Sequence, residues 1–243
     1  MTDMSARVLL CAMRSKAHSD RERLQELSRF VERAFGAERK RRKAKATREM
    51  KKVADEKEAG FLAAGHYEDI FQVETDFPRI QRYALVASMM GMVEANVVGF
   101  CRVARRIFAI PAEFNDRGSC VITRGVQYLV EEAGVDTSRF RSYVTLAEKL
   151  SKVRNCMVHA EGSLGDRKEA GEIREFAEAH PRLVIDDRDR LVPKNGFMES
   201  NTHEMHIFLD RLHDALKKRL DAQQTSADDS SPRAARVSEP PEK

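Results

Sequence analysis

Hydrophobic residues recur at steps of three and four along most of the chain, which is the spacing of amphipathic α-helices. The clearest stripe predicts a helix over residues 79–108, and it consists of Tyr83, Ala87, Met90, Val97, Cys101, Ala104 and Phe108. A second stripe predicts a helix from about residue 137 to 160, with Gly162 as its C-terminal cap. Shorter stripes predict helices over 119–133 and 199–221. The pattern therefore predicts an all-α bundle.

Strand-like sequence occurs only near residue 190. Leu183, Val184 and Ile185 are followed by turn residues and then by a second short apolar run that begins at Leu191. This predicts a small β-hairpin inserted before the last helix. The acids between the runs, Asp186, Asp187 and Asp189, could in principle bind a metal. We favour a turn, because Asp is a preferred turn residue.

The N-terminal region combines a narrow apolar stripe with a run of basic residues. Its stripe predicts a helix that starts near Ser19 or Asp20 and reaches about residue 58. The basic run is Arg39, Lys40, Arg41, Arg42 and Lys43. Such a run is typical either of a helix that contacts RNA phosphates or of a solvated helix, and both interpretations stay open. It contains no aromatic residue, so base stacking is not expected there.

These patterns divide the chain into three parts. We expect a basic helical arm over 1–58, a helical bundle over 59–222 and a disordered, Ser- and Pro-containing tail over 223–243. Between the arm and the main helix we expect a short helix and then a turn before Pro78, which suits the first position of the next helix.

Composition narrows the possible partners and the possible cellular compartment of the protein. The chain has 43 basic and 39 acidic residues and a net charge of +4, which allows nucleic acid as a partner without requiring it. No stretch approaches 18 apolar residues, so we expect no transmembrane helix, and the apolar run 8–13 is shorter than the core of a signal peptide. We therefore expect a cytoplasmic protein that does not bind membranes. The four cysteines are far apart and should be reduced, mostly buried thiols.

Candidate chemistry is concentrated late in the 137–160 helix, at Arg154, Asn155 and His159. Asn155 and His159 are four residues apart and share a side of the helix. Arg154 lies on the apolar side, where an unpaired charge would be costly. Glu94 interrupts the apolar stripe of the 79–108 helix in the same way. We therefore predict a Glu94–Arg154 contact, which could belong to an active site or could be a purely structural ion pair.

Arg154-Asn155-x-x-x-His159, late in a helix of an all-helical domain, resembles the HEPN superfamily. The resemblance covers about residues 77–221, and it implies a HEPN-like helical bundle. It also implies a metal-independent endoribonuclease without a cofactor, often a toxin or antiviral effector. The implied site is Arg154, Asn155 and His159 with Glu94, and the implied product ends are 2′,3′-cyclic phosphates.

The residue types suit RNA cleavage, in which the substrate's own 2′-hydroxyl is the nucleophile. His159 can move protons near neutral pH, Arg154 can bind phosphate, and Asn155 can orient His159 or donate to the phosphate. Acid and base catalysis together need two groups. Pairing of two domains, as in the family, would supply a second His159, so we expect a homodimer, with an antitoxin or regulatory protein as a further possible partner.

Three other interpretations stay open. A catalytically silent HEPN-like module would bind RNA, a nucleotide or a protein without cutting. An interaction protein would assemble through its long N-terminal helix. A metal site on the last helix could use His203, His206 and His213, but no further ligand completes the set, so we favour surface or interface histidines there.

Overall fold

The computed structural model describes residues 3–118 and 120–229, which form packed α-helices and one small sheet. The helices are α1 (Asp3–Met50), α2 (Glu56–Phe71), α3 (Phe77–Ile107), α4 (Val121–Glu131), α5 (Arg141–Ala160), α6 (Ala170–Ala179) and α7 (Phe197–Asp229). The strands β1 (Leu183–Ile185) and β2 (Leu191–Pro193) form an antiparallel hairpin between α6 and α7. The predicted all-α class and the predicted hairpin are confirmed.

Helix α3 lies at the centre and packs against α1, α4, α5 and α7. Val93, Val97, Phe100 and Ala104 recur at three- and four-residue steps along it and are fully buried. The predicted stripe is therefore the face that forms the core, and the observed ends of α3 lie within two residues of the predicted ones.

The junction between α2 and α3 differs from the prediction. Instead of a turn before Pro78, a π-helical turn over Gln72–Asp76 makes the chain helical without interruption from Glu56 to Ile107. Pro78 has no N–H, and its ring would collide with the carbonyl four residues earlier in a regular helix. The wider π turn, in which the Phe77 N–H donates to the Gln72 carbonyl oxygen, gives the ring room.

This continuous helix contradicts the expectation that no segment is long and apolar enough to span a membrane. It contains an 18-residue window of mean hydropathy 1.6, which is long and apolar enough to span a membrane by length and composition alone. Half of that window is buried inside the protein. The apolar character of this segment matches the central position of α3 among the packed helices.

Helix α1 begins earlier than predicted, at Asp3 rather than near residue 19. Ala6, Leu10 and Ala17 are almost completely buried, and α1 packs on both α7 and α3. The apolar run 8–13 is thus part of a core stripe, so the predicted boundary at residue 58 does not separate an arm from the bundle. Asp20 is not a helix cap, and it accepts a hydrogen bond from Asn96 Nδ2 at 3.3 Å.

Residues 36–71, here called the helical hairpin, consist of the second half of α1, the linker and α2. Helix α2 packs against α1, and none of its residues is buried. Asp55 caps α2, because its side chain accepts a hydrogen bond from the Glu58 N–H at 2.9 Å. Phe61 and Tyr67 remain 84% and 69% exposed. Local helical geometry and polar contacts hold this region together, and a buried core does not.

Two further differences concern the C-terminal half. Helix α6 was not predicted, although Ile173, Phe176 and Ala177 follow helical spacing and are buried. Helix α7 continues to Asp229, so residues 223–229 of the predicted disordered tail are helical. The rest of that tail lies outside the described residues.

Candidate active site

The candidate motif occupies the last two turns of α5, and the sequence fixes where this helix ends. Glu161 and Gly162 both adopt left-handed backbone conformations, and the Gly162 N–H donates to the Cys156 carbonyl oxygen at 3.1 Å. A Cβ on Gly162 would lie 2.1 Å from the Tyr83 hydroxyl, so only glycine fits. The end of α5 is thereby held against α3.

The predicted contact between Glu94 and Arg154 is present. Arg154 Nη2 donates to Glu94 Oε1 at 2.5 Å, and both side chains are 25% exposed. Arg154 Nε is buried and has no hydrogen-bond partner. The pair lies at the edge of the core, where α3 and α5 meet, so the guanidinium is held in place but not sealed off from solvent.

His159 and Asn155 lie on a different side of α5 from Arg154. Five residues of an α-helix turn the direction of the side chain by about 140°, so Arg154 and His159 diverge within one chain. His159 is exposed, Asn155 is half-buried, and neither side chain hydrogen-bonds to a described residue. The structure therefore joins Arg154 with Glu94 and places His159 free on the surface nearby.

A second arginine, which the sequence analysis missed, lies at the end of α5. Arg79 Nη1 donates to the Glu161 carbonyl oxygen at 3.5 Å, and the guanidinium stands over the Tyr83 ring at 5.6 Å. Its side chain is only 12% exposed, and its Nε is buried without a hydrogen-bond partner. Arg79 therefore brings a guanidinium to Glu161, two residues after His159, while its Nη2 lies 3.5 Å from Asp76 Oδ1. In the sequence, only the position of Arg79 four residues before Tyr83 on α3 could have indicated that its guanidinium lies over the Tyr83 ring.

Beside Glu94, α3 presents a solvent-facing surface of small residues. Ala84, Ser88, Gly91 and Ala95 are exposed, and a Cβ placed on Gly91 would meet no atom within 4 Å. Gly91 lies one helical turn from Glu94. This surface, together with the 48% exposed Val158 of α5, flanks the candidate motif with small and apolar groups.

The basic run on the helical hairpin is largely paired with acids of the same chain. Arg41 and Arg42 both donate to the Glu38 carboxylate, at 2.7 and 2.9 Å. Lys43 Nζ lies 2.6 Å from Glu74 Oε1, and Arg39 Nε lies 4.0 Å from the same oxygen. Of the five predicted RNA-binding residues, Lys40 alone has no carboxylate within 4.0 Å in the described part of the chain.

The hydrogen bonds from these arginines lower the pKa of Glu38 from 4.5 to about 2. The carboxylate therefore stays charged over almost the whole accessible pH range. The basic run is a network of local ion pairs that RNA phosphates would have to displace.

The two buried cysteines are not poised as nucleophiles. Cys101 and Cys156 are buried, whereas Cys11 and Cys120 are exposed, so the expectation of mostly buried thiols holds for only two of the four. Burial raises the pKa of Cys101 to about 12, and it also raises the pKa of Cys156. Both buried thiols are protonated at neutral pH.

The remaining candidates pair with single acids. His206 Nε2 lies 3.3 Å from Asp210, and His213 Nδ1 lies 3.1 Å from Asp214. Burial lowers the pKa of His206. Among residues 3–118 and 120–229, no group of three His, Cys, Asp or Glu side chains is arranged to hold a metal. Asp186 accepts hydrogen bonds from the Arg188 and Arg190 N–H groups, which is turn geometry.

Comparison with known proteins finds no match: no family model, no curated protein and no solved structure corresponds to this chain. A functional assignment for the motif on α5 must therefore come from its own geometry and chemistry.

Proposed function

We propose that this protein is a metal-independent endoribonuclease of HEPN type, with Arg154, Asn155 and His159 as its active site. The observation that carries the proposal is the Glu94–Arg154 pair, which holds a guanidinium at the protein surface on the helix that also carries the exposed His159 five residues later. A guanidinium binds phosphate through a fixed set of donors, and a solvent-accessible imidazole exchanges protons near neutral pH.

Each residue has a defined role in this proposal. His159 removes the proton of the RNA 2′-hydroxyl or protonates the leaving 5′-oxygen. Arg154 stabilises the charge that builds on the phosphate oxygens, and Glu94 positions Arg154 for that contact. Asn155, one turn before His159, orients the imidazole or donates to the phosphate. Arg79, which lies on α3 and contacts the end of α5, adds a second guanidinium toward the scissile phosphate.

The active form in this proposal is a homodimer. One chain supplies one histidine, whereas 2′-hydroxyl attack with leaving-group protonation uses two proton-transfer groups. The small-residue surface of α3 and the exposed Val158 lie beside the motif and suit close approach of a second copy across a two-fold axis. Dimerisation through this surface would bring two His159 side chains to one cleft.

A matched pair of glycine variants tests the dimer. Gly91→Arg places a long charged side chain on the α3 surface, and Gly60→Arg places one on α2, where a Cβ likewise meets nothing within 4 Å. We expect sedimentation equilibrium to show a monomer for Gly91→Arg and a dimer for Gly60→Arg and the wild type. A dimer in all three proteins, or a monomer in all three, contradicts this arrangement.

The proposed setting is the cytoplasm, with cellular or phage RNA as the substrate and a toxin or antiviral role. An antitoxin or another regulatory protein would then control the activity. The basic run serves as a secondary RNA contact, through Lys40 and through cations released from their acidic partners. These assignments follow from the proposed activity.

One observation favours the second candidate, a catalytically silent module that binds RNA, a nucleotide or a protein. No described side chain orients the His159 imidazole by a hydrogen bond, whereas a general base is normally oriented by a third group. A silent module would tolerate loss of His159.

The test is cleavage of an RNA pool in EDTA by the wild type, by His159→Ala and by His203→Ala. His203 is the matched control, because it is exposed and lies on another helix. We expect the wild type and His203→Ala to cut at equal rates and His159→Ala to lose at least about 100-fold, the usual effect of removing a general acid or base. Equal cutting by all three proteins contradicts the assigned site. RNA binding without cutting by any of them favours the silent module.

A further inference from the structure

A cavity of about 280 Å³ opens to solvent between α7 and the loop that leads into α5. One wall is a stripe of α7 whose members follow one another at three- and four-residue steps, namely Arg211, Ala215, Lys218 and Ala222. The loop before α5 forms the other wall. His159 lies near the opposite end of α5, a helix of 20 residues and about 30 Å, so this cavity is separate from the candidate active site.

The deeper part of the cavity is apolar. Phe140, the last loop residue before α5, is almost completely buried, and its ring lies 6.2 Å from that of Phe208 in the core. Ala215 and Ala222 are two helical turns apart on α7, and their short side chains leave the space beside Phe140 unfilled. The volume lies at the lower end of what ligand sites have, so the cavity suits a small apolar group.

Three cations border the cavity without an acidic partner. Arg139, Arg211 and Lys218 line it, and in the described part of the chain none of them has a carboxylate within 4.0 Å. Asp214 lies three residues after Arg211 and four before Lys218, which is the usual spacing of helical ion pairs. Its carboxylate instead contacts His213, at 3.1 Å. The three cations are therefore available to an anion that enters the cavity.

Helix-end electrostatics do not account for these cations. Basic residues are favourable near the C-terminal end of a helix, but Arg211 and Lys218 lie well inside α7, which continues to Asp229. Arg139 comes two residues before α5, where the positive end of the helix dipole makes a cation unfavourable. The convergence of three such cations on one apolar cavity is the feature that points to a ligand.

The loop wall is held in a defined shape. The Asp136 side chain accepts a hydrogen bond from the Ser138 N–H at 2.9 Å, and Val135 is buried. Arg219 Nε donates to the Ala133 carbonyl oxygen at 3.1 Å, which ties the loop to α7. The cavity is therefore formed before any ligand binds, and this lowers the entropic cost of binding.

These features define the chemistry of the ligand. Guanidinium groups bind carboxylates through paired hydrogen bonds, and an apolar cavity favours a hydrocarbon body. Asp136 and Asp214 also line the cavity and repel a multiply charged group, which favours a carboxylate over a phosphate. We propose that this cavity binds a medium-chain carboxylate, with its headgroup at the three cations and its chain against Phe140.

This inference is independent of ribonuclease activity and is tested by binding alone. Isothermal titration of the full chain uses octanoate, with butyrate, octylamine and octyl phosphate as comparisons, all below the concentrations at which they form micelles. The test variant is Arg211→Gln/Lys218→Gln. The matched control is Arg188→Gln/Lys217→Gln, which removes the same two residue types at exposed positions outside the cavity. Thermal unfolding checks that both double variants are folded.

We expect octanoate to bind the wild type and the control equally, and to bind the test variant at least about tenfold more weakly because charge-assisted contacts are lost. Butyrate should bind at least about tenfold more weakly than octanoate, because it buries less hydrocarbon. Unchanged octanoate binding by the test variant, no octanoate binding at millimolar concentration, or equal binding of octylamine overturns the proposal. Tighter binding of octyl phosphate overturns the choice of headgroup, and equal binding of butyrate overturns the placement of the chain.

Discussion

Charged residues cluster in two regions of the molecule, the contact between α3 and α5 and the helical hairpin. The two regions differ in how these charges are paired. At the α3–α5 contact, one pair, Glu94 and Arg154, lies at the edge of a fully buried core. In the hairpin, Arg41 and Arg42 share the carboxylate of Glu38 on a solvated surface, and no residue of α2 is buried. A charge that interrupts an apolar stripe must find a specific partner, whereas a charge run on a solvated helix can use any neighbouring acid.

This difference separates two kinds of candidate. The packing of α3 against α5 brings Glu94 and Arg154 together, and because the core is close-packed it fixes the position of Arg154. The hairpin's cations are neutralised locally and can exchange partners. The first arrangement suits an active site, and the second suits at most an adjustable contact with RNA.

The largest effect should come from comparing an aromatic residue of the buried core, on α7, with an exposed aromatic residue of the hairpin. Phe208 is fully buried, and Phe61 is 84% exposed. We expect Phe208→Ala to lower the free energy of unfolding by about 3–5 kcal/mol and Phe61→Ala to change it by less than about 0.5 kcal/mol. Urea denaturation followed by circular dichroism measures both. A loss above 2 kcal/mol for Phe61→Ala would show that α2 has a buried partner after all.

The next largest difference should be between the Glu94–Arg154 and Lys43–Glu74 ion pairs, in what each contributes to the free energy of unfolding. Glu94→Gln leaves Arg154 half-buried without its counter-ion, and we expect a loss of about 1–3 kcal/mol in the free energy of unfolding. Glu74→Gln removes the partner of Lys43 on the hairpin and should cost no more than about 0.5 kcal/mol. A double-mutant cycle with Arg154→Met isolates the coupling. Equal losses for the two single variants would remove the distinction between the regions.

On the hairpin, the titration of Glu38 should show how strongly the two arginines hold its carboxylate. The pKa of Glu38 is lowered to about 2 by Arg41 and Arg42. Any stability that its charged form contributes is therefore present above pH 4.5 and lost as the pH falls toward 2. Carboxyl NMR should show Glu38 titrating near 2 in the wild type and close to 4.5 in Arg41→Gln/Arg42→Gln. A wild-type value near 4.5 would mean that the two arginines do not hold this carboxylate.

The smallest effect should be on RNA affinity. Lys40 is the one predicted RNA-binding residue without an acidic partner within 4.0 Å in the described chain. Lys40→Ala should weaken RNA binding by less than about threefold, and the slope of log affinity against log salt should change by no more than about 1. Fluorescence anisotropy across a salt series measures both. A larger change in slope would make the hairpin a principal RNA-binding surface.

Sequence reasoning predicted the parts of the fold in which one periodicity dominates. The stripes of α3 and α5 are long, so their approximate limits could be predicted. The Glu94–Arg154 contact could be predicted because each charge interrupts an apolar face. The start of α1 was missed because residues 8–13 are as apolar as a short leader segment. Helix α6 has only ten residues, too few for a clear periodic signal. The contact of Arg79 with the end of α5 joins residues 82 positions apart, and local patterns do not report such contacts.

The chemical ends of the RNA products report directly which group attacks the phosphorus. Mass spectrometry of a short synthetic RNA cut in EDTA should show 2′,3′-cyclic phosphate and 5′-hydroxyl ends, because the 2′-hydroxyl is the proposed nucleophile and His159 moves the protons. His159→Ala should yield neither end. Products with 3′-hydroxyl and 5′-phosphate ends would mean that water attacks the phosphorus, and that result would contradict the proposed site and mechanism.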